Sequence, residues 1–136
     1  MLLELLNQIN ECSARDEIQN TEKLSHKHEL ISDIMGHINN NFGYELSLES
    51  ISEKFFISPC YLSRIFKSTV KISLIDYIND VRIKEAKKLL SEGNLSIIEI
   101  SHRVGYKSNT HFGRVFKKCT KMSPLKYRNL VSSRKQ

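Results

Sequence analysis

The chain has 136 residues, 40% of them hydrophobic and 26% charged, with five glycines, two prolines and a net charge of +6. That composition fits one domain with a modest core and is too apolar for wholesale disorder. No apolar run approaches the roughly 20 residues of a membrane span, and the opening MLLELLNQIN is too short and too acidic for a secretory signal.

Charge is unevenly distributed. From Met1 to Glu29, three basic residues stand against six acidic ones, a balance of −3; from Leu30 to Gln136 there are 18 basic and nine acidic residues, a balance of +9. A basic domain behind an acidic leader suits a polyanionic partner, although surface lysine also simply aids solubility. The three cysteines, Cys12, Cys60 and Cys119, form no C-x-x-C pair, and the five histidines have no zinc-type spacing with them. No metal site or cofactor is expected, and a reducing cytoplasm is the expected compartment.

In chain order, residues 2–9 form an amphipathic helical fragment, and the polar stretch from Asn10 to Lys27 reads as a linker. A helix follows over about 30–41, with Leu30, Ile31, Ile34 and Ile38 at helical spacing. Five further start signals come after it. Ser47 precedes Leu48, Ile51 and Phe55; Ser58-Pro59 and Ser123-Pro124 each place a capping serine before a proline at the first helical position; Ser73-x-x-Asp76 and Ser96-x-x-Glu99 resemble capping boxes. Gly93 ends a long helix. The expected elements are helices over 30–41, 48–55, 59–69, 74–92, 97–103, 109–119 and 124–131, with almost no strand signal.

Self-similarity is the most informative feature. SLESISEKFFI (47–57) aligns with SIIEISHRVGY (96–106), pairing Leu48 with Ile97, Ile51 with Ile100 and Phe55 with Val104. After one inserted residue, YLSRIFKSTVKIS (61–73) aligns with HFGRVFKKCTKMS (111–123). Each copy reads as a short helix, a tight turn and a longer helix. On the longer helices, Leu62, Ile65 and Phe66, and Phe112, Val115 and Phe116, share an apolar face. Opposite them lie Cys60, Ser63, Arg64 and Lys67 in one copy and Thr110, Gly113, Arg114 and Lys117 in the other. A recurring arginine, flanked by small residues and followed one turn on by lysine, is what groove insertion needs: a guanidinium fork for guanine, room for approach and a cation for phosphate. The helix between the copies, Leu74 to Glu92, would span about 28 Å. Successive major-groove faces of B-DNA lie about 34 Å apart, so such a rod could serve two adjacent segments of one duplex.

Residues 30–131 resemble the AraC/XylS family of transcription regulators. The resemblance rests on Gly105 to Lys118, on Met122-Ser123-Pro124-Leu125-Lys126-Tyr127-Arg128, and on VRIKEAKKLL (81–90). It implies an all-α, seven-helix bipartite domain: a first helix-turn-helix over 48–69, a linker helix over 74–92 and a second helix-turn-helix over 97–119. Residues 1–29 are then a leader or the remnant of an upstream domain, through which a homodimer could form, and 132–136 a tail. The implied function is sequence-specific binding of double-stranded DNA, usually to activate transcription with RNA polymerase as partner. Cys60, Ser63 and Arg64, with Asn109, Thr110, Gly113 and Arg114, are the implied base-facing residues; Lys67, Lys71, Lys117, Lys118 and Lys121 are expected to meet phosphates.

Three positions depart from the family pattern. Lys71 and Lys121 stand where glycine usually follows each recognition helix, a left-handed position that costs lysine about 1 kcal/mol. Phe56 replaces the glycine of the first turn, whereas Gly105 keeps it in the second. Arg82 falls on the apolar line of Leu74, Ile78, Ala86 and Leu90, where a buried charge needs a partner; a structural ion pair is expected rather than a DNA contact. No phosphate-cradling glycine loop, H-E-x-x-H or nucleophile elbow is present, so an enzyme is not expected. A helical module docking an acidic protein is the competing reading.

Overall fold

A computed structural model describes residues 21–135, and among these it contains seven helices and no strand. They are α1 (Thr21–Asn41), α2 (Leu48–Lys54), α3 (Pro59–Val70), α4 (Leu74–Glu92), α5 (Ile97–Arg103), α6 (Asn109–Thr120) and α7 (Pro124–Lys135). The fold is the expected all-α bipartite domain. The helical fragment expected over residues 2–9 lies outside the described residues.

The start signals act through their side chains. Ser58 and Ser108 accept hydrogen bonds from the amides of Tyr61 (3.1 Å) and His111 (3.2 Å), and so cap α3 and α6. Ser96 takes the Glu99 amide (3.1 Å) and Ser123 the Lys126 amide (3.1 Å). Each removes one orphan donor from a first helical turn. The fully reciprocal capping box sits on α2, where Ser47 and Ser50 exchange amide-to-hydroxyl bonds of 3.0 Å each. Ser50 stands there in place of the usual Glu or Gln, which hides the box in the sequence.

At its N-terminal side α1 differs from expectation. It is already helical at Thr21, nine residues before the expected start. Residues 21–29 contain neither glycine nor proline, and Leu24, Ser25, His26, His28 and Glu29 are exposed. First turns that lie mostly in water have no apolar stripe to betray them, so periodicity misses them.

Two compact units divide the described residues, one made of residues 21–37 with Ser47–Ile75, the other of Ile38–Leu46 with residues 76–135. Helix α4 carries the chain from the first into the second. In the first unit Ile51, Leu62, Ile65 and Phe66 are buried to within 1% of complete, joined by Ile31, Ile34 and Leu74. The second is built on Ile83, Ala86, Leu89 and Leu90 of α4, Ile100 of α5, Val104, Tyr106, and Phe112, Val115 and Phe116 of α6, with Tyr127 of α7 packed against them. Residues paired by the repeat occupy equivalent core positions. At roughly 1.5–3 kcal/mol for each fully buried large apolar side chain, these clusters dominate the stability of each unit.

The two helix-turn-helix turns share one hydrogen-bond pattern. In the first, the amides of Phe55, Phe56 and Ile57 donate to the carbonyls of Ile51, Glu53 and Ser52. In the second, Val104, Gly105 and Tyr106 donate to Ile100, His102 and Ser101. Ser52 and Ser101, buried at 3% and 0% exposure, send their hydroxyls back to Glu49 and Ile98 (2.9 and 2.7 Å). A small residue whose one polar group is satisfied within its own helix lets the next helix pack close. The recurrence of serine at this place in both copies is the mark that this role leaves in the sequence.

Candidate nucleic-acid interface

Each unit presents the outer face of its second helix. On α3, Cys60, Ser63, Arg64 and Lys67 line one open concavity of about 480 Å³ together with Ser68. Four residues singled out from the sequence therefore share one surface. Cys60, Ser63 and Lys67 are exposed. Arg64 is half-buried, with Nε and Nη2 shielded from solvent.

On α6 the corresponding arginine stands out. Asn109, Thr110, Arg114, Lys117 and Lys118 are exposed, and Phe112, Val115 and Phe116 on the other face are buried. Gly113 lies between them, and a Cβ built there would meet nothing within 4 Å. The protein's own packing therefore does not require glycine at that position. Glycine in a helix interior costs about 1 kcal/mol relative to alanine.

The positions that depart from the family pattern adopt the glycine-like conformation regardless. Lys71 (φ 77°) and Lys121 (φ 71°) are the left-handed C-caps of α3 and α6, and their amides close onto the carbonyls of Lys67 and Lys117 at 2.9 and 2.8 Å. Both side chains are exposed. Phe56 is left-handed too (φ 58°) and 94% exposed. The first turn is thus strained but not reshaped. The second turn could not accept this substitution: a Cβ on Gly105 (φ 103°) would lie 2.3 Å from the Phe42 carbonyl oxygen and 2.8 Å from Arg82 Nε.

That close approach identifies what Arg82 does. Its Nε donates to the Phe42 carbonyl and its Nη2 to the Tyr44 carbonyl, each at 2.9 Å, and its guanidinium carbon sits 5.2 Å from the Tyr106 ring centre. Arg82 thus donates to two backbone carbonyls and lies over a π face, where the sequence suggested the carboxylate of an ion pair. Carbonyl oxygens satisfy a buried guanidinium while leaving no mark in the sequence. Arg128 works similarly, donating to the carbonyls of Leu95 and Leu90. The Tyr106 hydroxyl donates to Asn79 Oδ1 (2.7 Å), and burial pushes its pKa up to about 12, against the opposing pull of Arg82.

Residues 51–130 match the helix-turn-helix domain family. Among curated proteins the chain is 36% identical over 104 residues to the uncharacterized HTH-type transcriptional regulator YijO of Escherichia coli K12, covering 76% of this chain and 37% of that protein. It is 30% identical over 106 residues to the melibiose operon regulatory protein of the same strain, covering 78% and 35%. Among solved structures it resembles the C-terminal domain of AraT, a response regulator from Geobacillus stearothermophilus, with a TM-score of 0.72, 36% identity, and coverage of 74% of this chain and 84% of that one. The chain belongs to the AraC/XylS family. It carries that family's DNA-binding domain and spans about a third of the length of the curated relatives it matches. At 19% identity, the DNA-binding domain of AdpA, solved in complex with a target DNA, shares the fold, with a TM-score of 0.73. Family members are DNA-binding transcription regulators, which is not an enzyme class. Among the described residues no helix is long and apolar enough to cross a membrane, and no three His, Cys, Asp or Glu residues gather as metal ligands.

Proposed function

We propose that the chain is a sequence-specific regulator of transcription that inserts α3 and α6 into two adjacent major-groove segments of double-stranded DNA. The observation that carries this reading is the outer face of α6. Asn109, Thr110 and Arg114 are exposed there beside a glycine that no contact within the protein explains, and on α3 a small residue again precedes an arginine, with Ser63 exposed and Arg64 half-buried. Arginine offers two parallel donors to guanine O6 and N7, and a side chain of no bulk beside it lets the backbone approach the base edges.

Arg114 and Arg64 are assigned to base contacts, with Asn109, Thr110 and Gly113 beside the first and Cys60 and Ser63 beside the second. Lys67, Lys71, Lys117, Lys118 and Lys121, all exposed, are assigned to phosphates. The regulator is read as an activator with RNA polymerase as its protein partner, acting in the cytoplasm, with any homodimer formed through an upstream domain.

Titration against duplexes of mixed sequence at low and high salt tests the reading. Binding that weakens steeply with salt, with one sequence preferred, supports it. Salt-dependent binding without preference reduces the domain to a general polyanion binder, and no binding returns the basic face to an acidic protein partner.

A further inference from the structure

Cys60 stands on the outer face of α3 and is disulfide-bonded. The chain has three cysteines and Cys119 is free, so the partner within the chain is Cys12, which lies outside the described residues. The bond joins an exposed position, assigned above to base readout, to the acidic leader. Arg64 supplies a second, independent observation. It lies one helical turn beyond Cys60, lines the same concavity and is half-buried, with Nε and Nη2 shielded from solvent. In the other copy Thr110 takes the place of Cys60, and Arg114, the counterpart of Arg64, is exposed. The copy with the disulfide is covered at its arginine, and the copy without one is open.

We propose that Cys12 and Cys60 form a redox gate: the closed bond holds the leader across the face of α3 and keeps DNA from it, and reduction frees the face. The inference rests on the DNA reading above and adds regulation to it. Charge favours the covering segment. Glu11, Asp16 and Glu17 lie within five residues of Cys12, with Arg15 as the one cation among them, and the face presents Arg64 and Lys67. A tethered acidic segment competes with a duplex at an effective concentration that a free peptide does not reach. Closure requires an oxidant, here a low-molecular-weight disulfide such as that of glutathione. One cysteine thiolate attacks it, its S–S bond breaks and one glutathione leaves as the thiol. The second cysteine then attacks the protein sulfur of the mixed disulfide and displaces the other glutathione. Two electrons pass to the small disulfide, and the two cysteine protons end on the two glutathione thiols. Excess thiol drives the exchange back, so a reducing compartment keeps the gate open. Cys119 stays out of it: desolvation, then the charge of Asp80, push its thiol pKa up and leave less thiolate.

The test compares duplex binding by the full chain reduced with dithiothreitol and oxidised with glutathione disulfide, alongside intact mass and a peptide map run without reductant. The oxidised chain is expected to be lighter by two hydrogens, with Cys12 linked to Cys60, and to bind a mixed-sequence duplex at least about tenfold more weakly. Dithiothreitol restores both. Cys119→Ser is expected to keep the whole switch, whereas Cys12→Ser loses the mass change and, reduced, binds duplex like the reduced parent. A bond between Cys60 and Cys119, a linked pair of chains, or glutathione adducts alone would overturn the pairing. A closed Cys12–Cys60 bond that leaves affinity unchanged would overturn the gate while the DNA reading stands. If the reduced parent binds no duplex, the DNA reading falls and the gate with it, although the mapped bond is read independently by mass.

Discussion

At the residue scale, the two copies of the repeat are chemically alike and physically unequal. Arg114 is exposed, whereas Arg64 is half-buried with two nitrogens covered. Replacing Arg114 with alanine is expected to cost about 1–3 kcal/mol of specific affinity and to relax preference at one base position, which competition among single-base variants of a bound duplex would measure. Lys71 and Lys121 carry two opposed effects. Lys71→Gly and Lys121→Gly should each raise folding stability by about 1 kcal/mol in thermal or denaturant unfolding, because a left-handed residue loses its Cβ penalty. Each should also flatten the salt slope of DNA binding; an unchanged slope would leave these lysines without a phosphate role. Tyr106 gives a pH signature. Its pKa is raised from about 10 to about 12, so the fold favours the neutral phenol. Its contribution is complete below pH 10 and is lost as pH rises through the window up to about 12. Tyr106→Phe is expected to cost about 1 kcal/mol at neutral pH, through the lost bond to Asn79, and to reduce the alkaline loss of stability.

Among the elements, much was legible in advance because helix ends are written in side chains. Ser58-Pro59, Ser96 and Gly93 fixed where α3, α5 and α4 begin or end, to within a residue. The N-terminal part of α1 was not legible, since its exposed polar turns have the composition of a linker. Nor were the partners of Arg82, because main-chain carbonyls have no residue type; only the oddity of a charge on an apolar line was visible. The face of α3 was legible from its wheel, yet the partial burial of Arg64 was not, since side-chain burial follows from packing. The two turns make a paired prediction at this scale. Gly105→Ala places a methyl group against the Phe42 carbonyl and Arg82 and should cost at least about 2 kcal/mol. Phe56→Gly, at the equivalent position of the other turn, should instead stabilise by about 1 kcal/mol, since its ring is exposed and its backbone left-handed. Unfolding curves for both variants check the contrast; equal losses would mean that the turns are not equivalent.

For the molecule as a whole, the proposed reading of a duplex rests on a basic balance, an internal repeat and the continuous helix α4. On the proposed reading, the charge supplies attraction that is blind to sequence and the exposed faces of α3 and α6 supply the discrimination. The most direct test is selection of bound duplexes from a random DNA pool, repeated with Arg64→Ala and with Arg114→Ala. The expected result is two short preferred blocks in every selected duplex, one lost in each variant while the other persists. Selected pools without any shared block, or variants that select the same sequences as the parent, would contradict the account.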